Sequence, residues 1–439
     1  MKTKMLGINI FLLWLVSSQV YGQSIYGNSI SAGSAGIGGA SVSAPVQPLD
    51  IMVSNPAGLA TVDSEVLQFG FLSAFAQGRF SNAANANAPI GAFAAATPYG
   101  AFVTPLGHSR FKLGISSAPE SSMTAHWRYV DAPGGAGNVS YGLQDDKSAI
   151  LALRSAVGLG FALTPRLSVG ATLGWDFNSN TLQTPYVFQS QPVLKGLKTL
   201  VDLRTQGVGV NGSFGVSFRQ SSRFQFGLSY KTRTDIHSHG EIDGNVGQQL
   251  AALGLSLRPD FHYNAQVDSV LPQMASIGVQ ARLRPRLRFA LQADWINWNK
   301  AFVNLPLTLT NGNNSDLNTL LGGNSLKDFV PLLWHNQGVV HAGVEMSATE
   351  RTVVRGGYSF ASNPVPATTL TPMTAAIMRN TLSTGAGYLV GRYRLDASYQ
   401  YELPTSARVS QSLLRAGEYS NSRITIGVQT VFVTTSIRF

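Results

Sequence analysis

Three side chains that could bind a metal stand together in the stretch DIHSHGE. His237, His239 and Glu241 occur at every second position, so an extended strand would place them on one face. Imidazole and carboxylate groups are zinc ligands, but three ligands along one strand point away from a common centre, and the sequence offers no obvious second cluster to join them. We therefore predict no metal site and no cofactor.

Catalytic signatures are weak as well. The sequence has no nucleophile elbow and no local triad pattern, which leaves a hydrolase triad assembled only in space as the open enzymatic alternative. The glycine run GSAGIGG (33–39) lacks the preceding strand and the following helix of a nucleotide-binding loop. We predict that the protein is not an enzyme.

Four basic side chains could instead hold an anionic ligand, because an arginine or lysine in a dry interior forms strong charge-assisted hydrogen bonds with a carboxylate. The alternation of charged residues predicts that these four face an interior rather than lipid: Arg154, Lys231, Arg233 and Arg355. The alternative is that nearby acids pair with them across that interior: Asp176, Asp294, Glu345 and Asp396.

Composition indicates an exported, strand-rich chain. Of 439 residues only 12% are charged, 45 are Gly and none is Cys, and the net charge is +10. Residues 1–22 combine two lysines, an apolar core and small residues before the cut, which predicts a signal peptide. No later stretch reaches the ~18 apolar residues of a membrane-spanning helix. Many arginines lie at tight turns, where they could meet phospholipid head groups, so the basic charge does not predict nucleic-acid binding.

The spacing of the joints predicts the architecture. From about residue 66 onward, six tight turns alternate with seven long loops of polar or mixed composition. Short turns at one rim and long loops at the other are the pattern of an outer-membrane barrel. The predicted strands are 66–80, 98–107, 110–120, 148–165, 166–181, 206–220, 223–244, 262–285, 286–301, 336–348, 352–363, 380–391, 392–405 and 421–439. The last, which includes VFVTTSIRF, alternates apolar and polar residues up to Phe439 and would pair with the first strand.

We therefore predict an all-β fold, a 14-stranded antiparallel transmembrane β-barrel over residues 63–439. A periplasmic β-sandwich or solenoid is the alternative. Residues 23–62 are too rich in glycine for a wall strand and predict a hatch, or plug, inside the lumen, with a disordered tail as the alternative. Turn chemistry in NPAGL favours the ordered hatch, whose marked residues are Gly36, Gly38, Asn55, Pro56 and Ala57.

Two long loops carry apolar residues at helix-like spacing. Apolar helices in water-facing loops predict a binding groove, or else a lid in which they pack on one another. The residues concerned are Leu194, Leu197, Leu200 and Val201 within 192–205, and Leu250 and Leu253 within 246–259.

Several motifs resemble the FadL-type family of long-chain fatty acid transporters. The glycine-rich start and NPAGL resemble that family's hatch. Three later segments resemble its strands in the same order: GVSFRQSSRFQFGLSYKTRTDI (215–236), LPQMASIGVQARLRPRLRFALQADWINWNKA (271–301) and VVRGGYSFASNPVP (353–366). The resemblance implies a monomeric, plugged barrel in the outer membrane that takes up hydrophobic molecules passively and releases them sideways through a gap in the wall.

From the residues and this resemblance together, we predict passive transport of long-chain fatty acids or related hydrophobic compounds. An aromatic-hydrocarbon channel of the same family, or a surface adhesin or structural barrel that transports nothing, are the alternatives. The predicted partners are the hydrophobic cargo, outer-membrane lipids and, through the terminal aromatic Phe439, the barrel-assembly machinery.

Overall fold

The computed structural model describes residues 30–45, 47–91, 94–107 and 109–439. The predicted signal peptide (1–22) and the first residues of the predicted hatch lie outside this described part. Within it, no helix is both long enough and apolar enough to cross a membrane.

Strands make up most of the described chain. Nineteen segments form one antiparallel sheet: β1 (Val66–Ser81), β2 (Ala88–Pro89), β3 (Ala94–Pro105), β4 (Phe111–Val130), β5 (Leu143–Ala162), β6 (Leu167–Val187), β7 (Lys198–Arg219), β8 (Phe224–Lys231), β9 (Thr234–Asn245), β10 (Asp260–Leu271), β11 (Met274–Arg284), β12 (Leu287–Ile296), β13 (Asn304–Thr310), β14 (Leu326–Pro331), β15 (Gln337–Ser347), β16 (Thr352–Ala361), β17 (Asn380–Val390), β18 (Tyr393–Val409) and β19 (Ser422–Arg438).

These segments form fourteen wall strands, as predicted. β8 and β9 are two halves of one strand interrupted at Thr232 and Arg233, and β10 and β11 are likewise interrupted at Pro272 and Gln273. β2 and the hairpin β13–β14 belong to long loops. β1 pairs with β19 from Val66↔Arg438 to Ser81↔Arg423 and with β3 on its other side, so the sheet closes into a barrel.

The barrel is apolar outside and polar inside. In β7 the outward side chains Val208, Val210 and Phe214 are exposed, whereas the intervening Asn211 and Ser213 are buried in the interior. An apolar outer face and a polar inner face at a period of two residues are typical of strands that lie between lipid and a lumen.

Short helices occur in the N-terminal segment and in the loops. The N-terminal segment (30–62) contains α1 (Ala32–Gly36), α2 (Pro48–Val53) and a 3₁₀ helix (Pro56–Thr61). The loops contain α3 (Gly247–Ala252), α4 (Ser315–Leu321) and the 3₁₀ turns Trp298–Lys300 and Pro372–Thr374.

Candidate functional site

The N-terminal segment lies across the inside of the barrel. Helix α1 packs on β17, β18 and β19, while the 3₁₀ helix packs on β5, β6 and β7 at the other side of the wall. Asn55 is fully buried and joins segment to wall, since its Nδ2 donates to the carbonyl of Val42 at 2.7 Å and to that of Val216 at 3.1 Å. Its Oδ1 accepts from the amide of Ala57 and caps the 3₁₀ helix, in which Pro56 is the first residue.

Glycines in the wall make room for this segment. A Cβ on Gly227 would stand 2.6 Å from Cα of Ser43, and one on Gly170 would stand 2.7 Å from the amide nitrogen of Ala57. The same close approach occurs at Gly343, Gly357 and Gly215. Within the segment, Gly38 has φ +66°, in the left-handed region that favours glycine, and Gly36 packs against the side chains of Arg355 and Ser398.

Arg154 and Lys231, two of the four predicted cations, lie buried in one polar cluster inside the barrel. Arg154 donates to Oδ1 of Asn211 at 2.8 Å and to Oγ1 of Thr172 at 2.8 Å. Lys231 forms an ion pair with Glu120, an acid that the sequence reading did not single out. Asp176 accepts from Asn211 and from Thr234, so it meets Arg154 through the shared amide and not directly.

Arg355 also points inward, where two acids neutralise it. Its guanidinium donates to Oε2 of Glu345 at 2.8 Å and to Oδ1 of Asp396 at 2.7 Å. Asp396 in turn accepts from Arg394 and from Nε2 of Gln47 in the N-terminal segment. The predicted alternative of internal ion pairs therefore describes Arg355 in this structure.

The prediction that Arg233 faces the interior is wrong. Its side chain is 59% exposed on the outside and pairs with Asp235 at 3.1 Å. Inward residues have odd numbers in β8, up to Lys231, but even numbers in β9, from Thr234. The interruption at Thr232 and Arg233 shifts the alternation by one residue and turns Arg233 outward.

His237, His239 and Glu241, the three possible metal ligands of the DIHSHGE stretch, also lie on the outer face of the barrel, on β9. His237 bonds Asp268 at 2.7 Å on β10, and His239 and Glu241 are exposed further along the same face. Among the described residues, no group of three or more His, Asp or Glu side chains is arranged to hold a metal ion.

The loop residues of the predicted groove form part of a packed cluster. Leu194, Val201 and Leu250 are buried together with residues of β9, β10 and the β13–β14 hairpin, and Leu197 is half-buried against them. Leu200 is half-buried and Leu253 is exposed. This packing matches the predicted lid more closely than an open groove.

The predicted helical form of residues 192–205 is wrong. Lys198–Arg219 is strand β7, which pairs with β6 and β9 and so satisfies its backbone groups in the sheet. The second loop is helical only over Gly247–Ala252. Lys198 itself is fully buried and forms ion pairs with Asp131 at 2.6 Å and Glu418 at 2.7 Å, which ties three long loops together.

The wall is interrupted between β3 and β4. Their pairing runs from Pro105↔Lys112 to Gly100↔Ser117, and within the described part of β3 residues 94–99 pair only with β1. The next bridge beyond the interruption is Ile90↔Trp127. Between these points β4 loses its alternation and buries both faces from Ala118 to Ala125, so the strand bends into the lumen.

A bulge lies where β4 bends. Glu120 is the extra residue, because Pro119 pairs with Leu153 of β5 and the next pair is Ser121↔Ala152. Proline lacks the N–H that a ladder needs and is found at strand edges and bulges. A proline inside a predicted strand was thus the signal that could have located this feature from the sequence.

The opening lies at the height of the apolar outer surface and beside an apolar cluster in the interior. Residues 94–99 of β3 pair with residues 70–75 of β1, where the rings of Phe71 and Phe75 are exposed on the outer face. Inside, Met123 and Ala125 of the bent strand belong to a buried cluster that includes the mutually packed rings of Trp298, Phe302 and Trp334, with centroids 4.9–5.0 Å apart.

Several solved structures have a similar fold. A Pseudomonas aeruginosa FadL homologue superposes with TM-score 0.75 at 16% identity, covering 96% of this chain and 100% of that one. The Pseudomonas putida toluene transporter TodX gives TM-score 0.74 at 16% identity, with 96% and 100% covered. The Ralstonia pickettii toluene transporter TbuX gives 0.71 at 17% identity, with 95% and 99% covered. These similarities show the fold.

Comparison with curated protein sequences finds no match. The family model described as outer membrane protein transport protein (OMPP1/FadL/TodX) matches residues 13–439, nearly the whole chain. Together with the closed fourteen-stranded barrel, this match establishes that the chain belongs to the OMPP1/FadL/TodX family of outer-membrane proteins that transport hydrophobic compounds.

Proposed function

We propose that the protein carries its cargo passively from the apolar cluster at the loop end of the lumen through the β3–β4 opening into the membrane. The observation that carries this proposal is the position of the opening, with Met123 and Ala125 of the apolar cluster on its inner side and exposed Phe71 and Phe75 at the same height outside. A cargo molecule on this route leaves water once and stays in apolar surroundings.

Burial supplies the driving force for capture. Each methylene that leaves water contributes about 0.8 kcal/mol, so a cargo of several carbons needs no coupled energy source to enter the cluster. Exposed apolar residues on the loops, among them Val193 and Leu253, offer a first contact. The N-terminal segment acts as the hatch in this proposal, because it fills the space between opposite sides of the wall and so blocks a straight path along the barrel axis.

The charges of the lumen favour an uncharged cargo. Arg355 and Lys231 form ion pairs with buried acids, and Arg154 is held by Asn211 and Thr172. At Arg355 or Lys231, a carboxylate would have to displace an acid and leave it uncompensated in the interior, which is unfavourable. At Arg154 it would have to displace two neutral hydrogen-bond partners. An uncharged hydrocarbon meets no such penalty, and toluene is the aromatic hydrocarbon named for the structurally similar transporters TbuX and TodX.

Long-chain fatty acids are the second candidate. Lys195 is exposed next to the exposed Val193 on the 188–197 loop, so a carboxylate could remain at the entrance while its chain enters the cluster. Competition experiments distinguish the two cargo classes, because a hydrocarbon channel should take up labelled toluene in the presence of excess laurate, whereas a fatty acid transporter should not.

Uptake into proteoliposomes tests the route. We expect Met123→Arg, which places a charge in the apolar cluster beside the opening, and Ala125→Trp, which adds bulk there, to reduce uptake of labelled cargo about tenfold or more. Leu413→Arg is the matched control, because Leu413 is 59% exposed on a long loop. Each variant must keep the heat-dependent gel mobility of a folded barrel. Unchanged uptake in both cluster variants would exclude this route.

A further inference from the structure

The bend in β4 is held by a charged contact that crosses the lumen. Glu120, the bulged residue, forms a buried ion pair with Lys231 at the end of β8. Strands β5, β6 and β7 lie between the two in the wall, so the contact is not made between neighbours in the sheet. Lys231 therefore anchors the bent part of β4 away from its place in the wall.

The two chain segments that flank the opening have the same register with each other on both sides of it. Counting ten residues back in the sequence from Gly100 gives Ile90, which precedes β3, and counting ten residues forward from Ser117 gives Trp127 on β4, the bridge partner of Ile90. Ile90 and Trp127 would therefore be opposite each other even if the strands paired without interruption. Closing the opening requires no sliding of the flanking strands, only the return of the bent part of β4 to the wall.

Two prolines weaken the closed arrangement. In the common register Pro98 of β3 would lie opposite Pro119 of β4, and neither residue has an N–H to donate. The remaining residues of the two strands could still form ladder bonds. A closed arrangement would gain these backbone hydrogen bonds, whereas the ion pair and the two prolines favour the open one.

We infer that the Glu120–Lys231 ion pair is a positioning device that keeps the β3–β4 opening in the barrel wall open. The inference extends the proposed function. Its effect on transport rests on the proposed exit route, whereas its effect on the geometry of the opening does not. It assigns Lys231 to the geometry of the exit, whereas the sequence had suggested contact with a carboxylate cargo.

Cysteine cross-linking measures the opening directly, because the chain contains no native cysteine. Ala96→Cys and Ser121→Cys would be opposite each other in the closed register but are separated by the bend in the open form. Cβ atoms of directly opposed residues are about 4.5–5.5 Å apart, close to the separation that a disulfide spans. A mild oxidant should therefore cross-link this pair slowly when the ion pair is intact.

Three further backgrounds test the ion pair. Replacing both partners, Glu120→Met with Lys231→Met, removes the pair without leaving a buried charge, and we expect cross-linking about tenfold faster or more. Exchanging the partners, Glu120→Lys with Lys231→Glu, should restore the slow rate. Lys327→Met, at an exposed position of the β13–β14 hairpin, should not change it.

The outcomes separate this inference from the proposed function. Faster cross-linking with reduced cargo uptake in the double Met variant, and recovery of both in the exchanged variant, is the expected result. Faster cross-linking with unchanged uptake would support the positioning role and overturn the proposed exit route. An unchanged cross-linking rate in the folded double Met variant would overturn the positioning role, whatever happens to uptake.

Discussion

Charged side chains of this barrel differ most in how deeply they are buried. Arg355 is 3% exposed and donates to two acids, Glu345 and Asp396, whereas Arg204 forms a comparable pair with Asp202 while 64% exposed. The geometry is similar in the two cases, but only Arg355 leaves buried carboxylates behind when it is removed. Surroundings, not residue type, decide the effect of each arginine.

We expect Arg355→Leu to lower the free energy of unfolding by about 3 kcal/mol, since it removes one of the two cations of each acid and leaves Glu345 only Arg288 and Asp396 only Arg394. Arg204→Leu is the matched control and should change it by about 1 kcal/mol or less. Unfolding by guanidinium chloride in lipid vesicles measures both. Equal effects would mean that water reaches the Arg355 network freely.

We expect the docking of the N-terminal segment to depend on pH through the carboxyl of Asp50. Burial raises the pKa of its carboxyl to about 6, against which the hydrogen bond from Ser31 at 2.5 Å and the charge of Arg355 act to lower it. In the released segment the ordinary pKa is about 4. The docked segment therefore holds a proton that the released segment loses between about pH 4 and 6, so docking weakens as pH rises through that window.

Hydrogen exchange of residues 30–62 measures this dependence. After correction for intrinsic rates, we expect less protection at pH 7 than at pH 5, with a difference of roughly 2 kcal/mol or less in opening free energy. Asp50→Asn keeps an oxygen that accepts from Ser31 and should make protection nearly independent of pH. Identical pH profiles for the two proteins would show that Asp50 does not control docking.

At the level of strands, the sequence predicts those features that follow from contact with lipid on one face and with the lumen on the other. Alternating faces and tight turns located all fourteen wall strands, because a period of two is forced wherever one face meets lipid and the other an interior. The bend in β4 and the hairpin β13–β14 were missed, since neither is required by that period. The wrong orientation predicted for Arg233 has the same origin. The interruption between β8 and β9 shifts the alternation by one residue, so that inward and outward positions are exchanged along β9.

The fit between wall strands and N-terminal segment gives a prediction at this scale. On β7, a Cβ at Gly215 would meet Cδ of Pro56 at 2.8 Å and the amide of Ala57 at 3.0 Å, while one at Gly212 would meet nothing closer than 3.6 Å. We expect Gly215→Ala to displace the 3₁₀ helix and increase proteolysis within residues 30–62. Gly212→Ala, three residues away on the same strand, should leave proteolysis unchanged. Equal cleavage of both variants would contradict this fit.

For the whole molecule, closure of the barrel and filling of its lumen rest on different contacts. The β1–β19 ladder closes the barrel, and its sixteen residue pairs do not involve the N-terminal segment. The N-terminal segment fills the lumen. It is held there by hydrogen bonds of Asn55 and Gln47 to wall strands and by the close approach of its backbone to wall glycines. The two functions should therefore be separable by deletion.

Deleting residues 30–60 tests this separation. We expect the variant to keep the heat-dependent gel mobility of a closed barrel, because the lumenal network around Arg355 can be hydrated once the segment is gone. Liposomes carrying the variant should swell in small sugars such as arabinose, which the intact protein excludes while the segment occupies the lumen. Asn55→Ala, which removes two hydrogen bonds to carbonyls but keeps the segment, should swell to an intermediate extent. A deletion variant that fails to form a barrel would show instead that the segment is part of the folding core, and its role as a hatch would have to be abandoned.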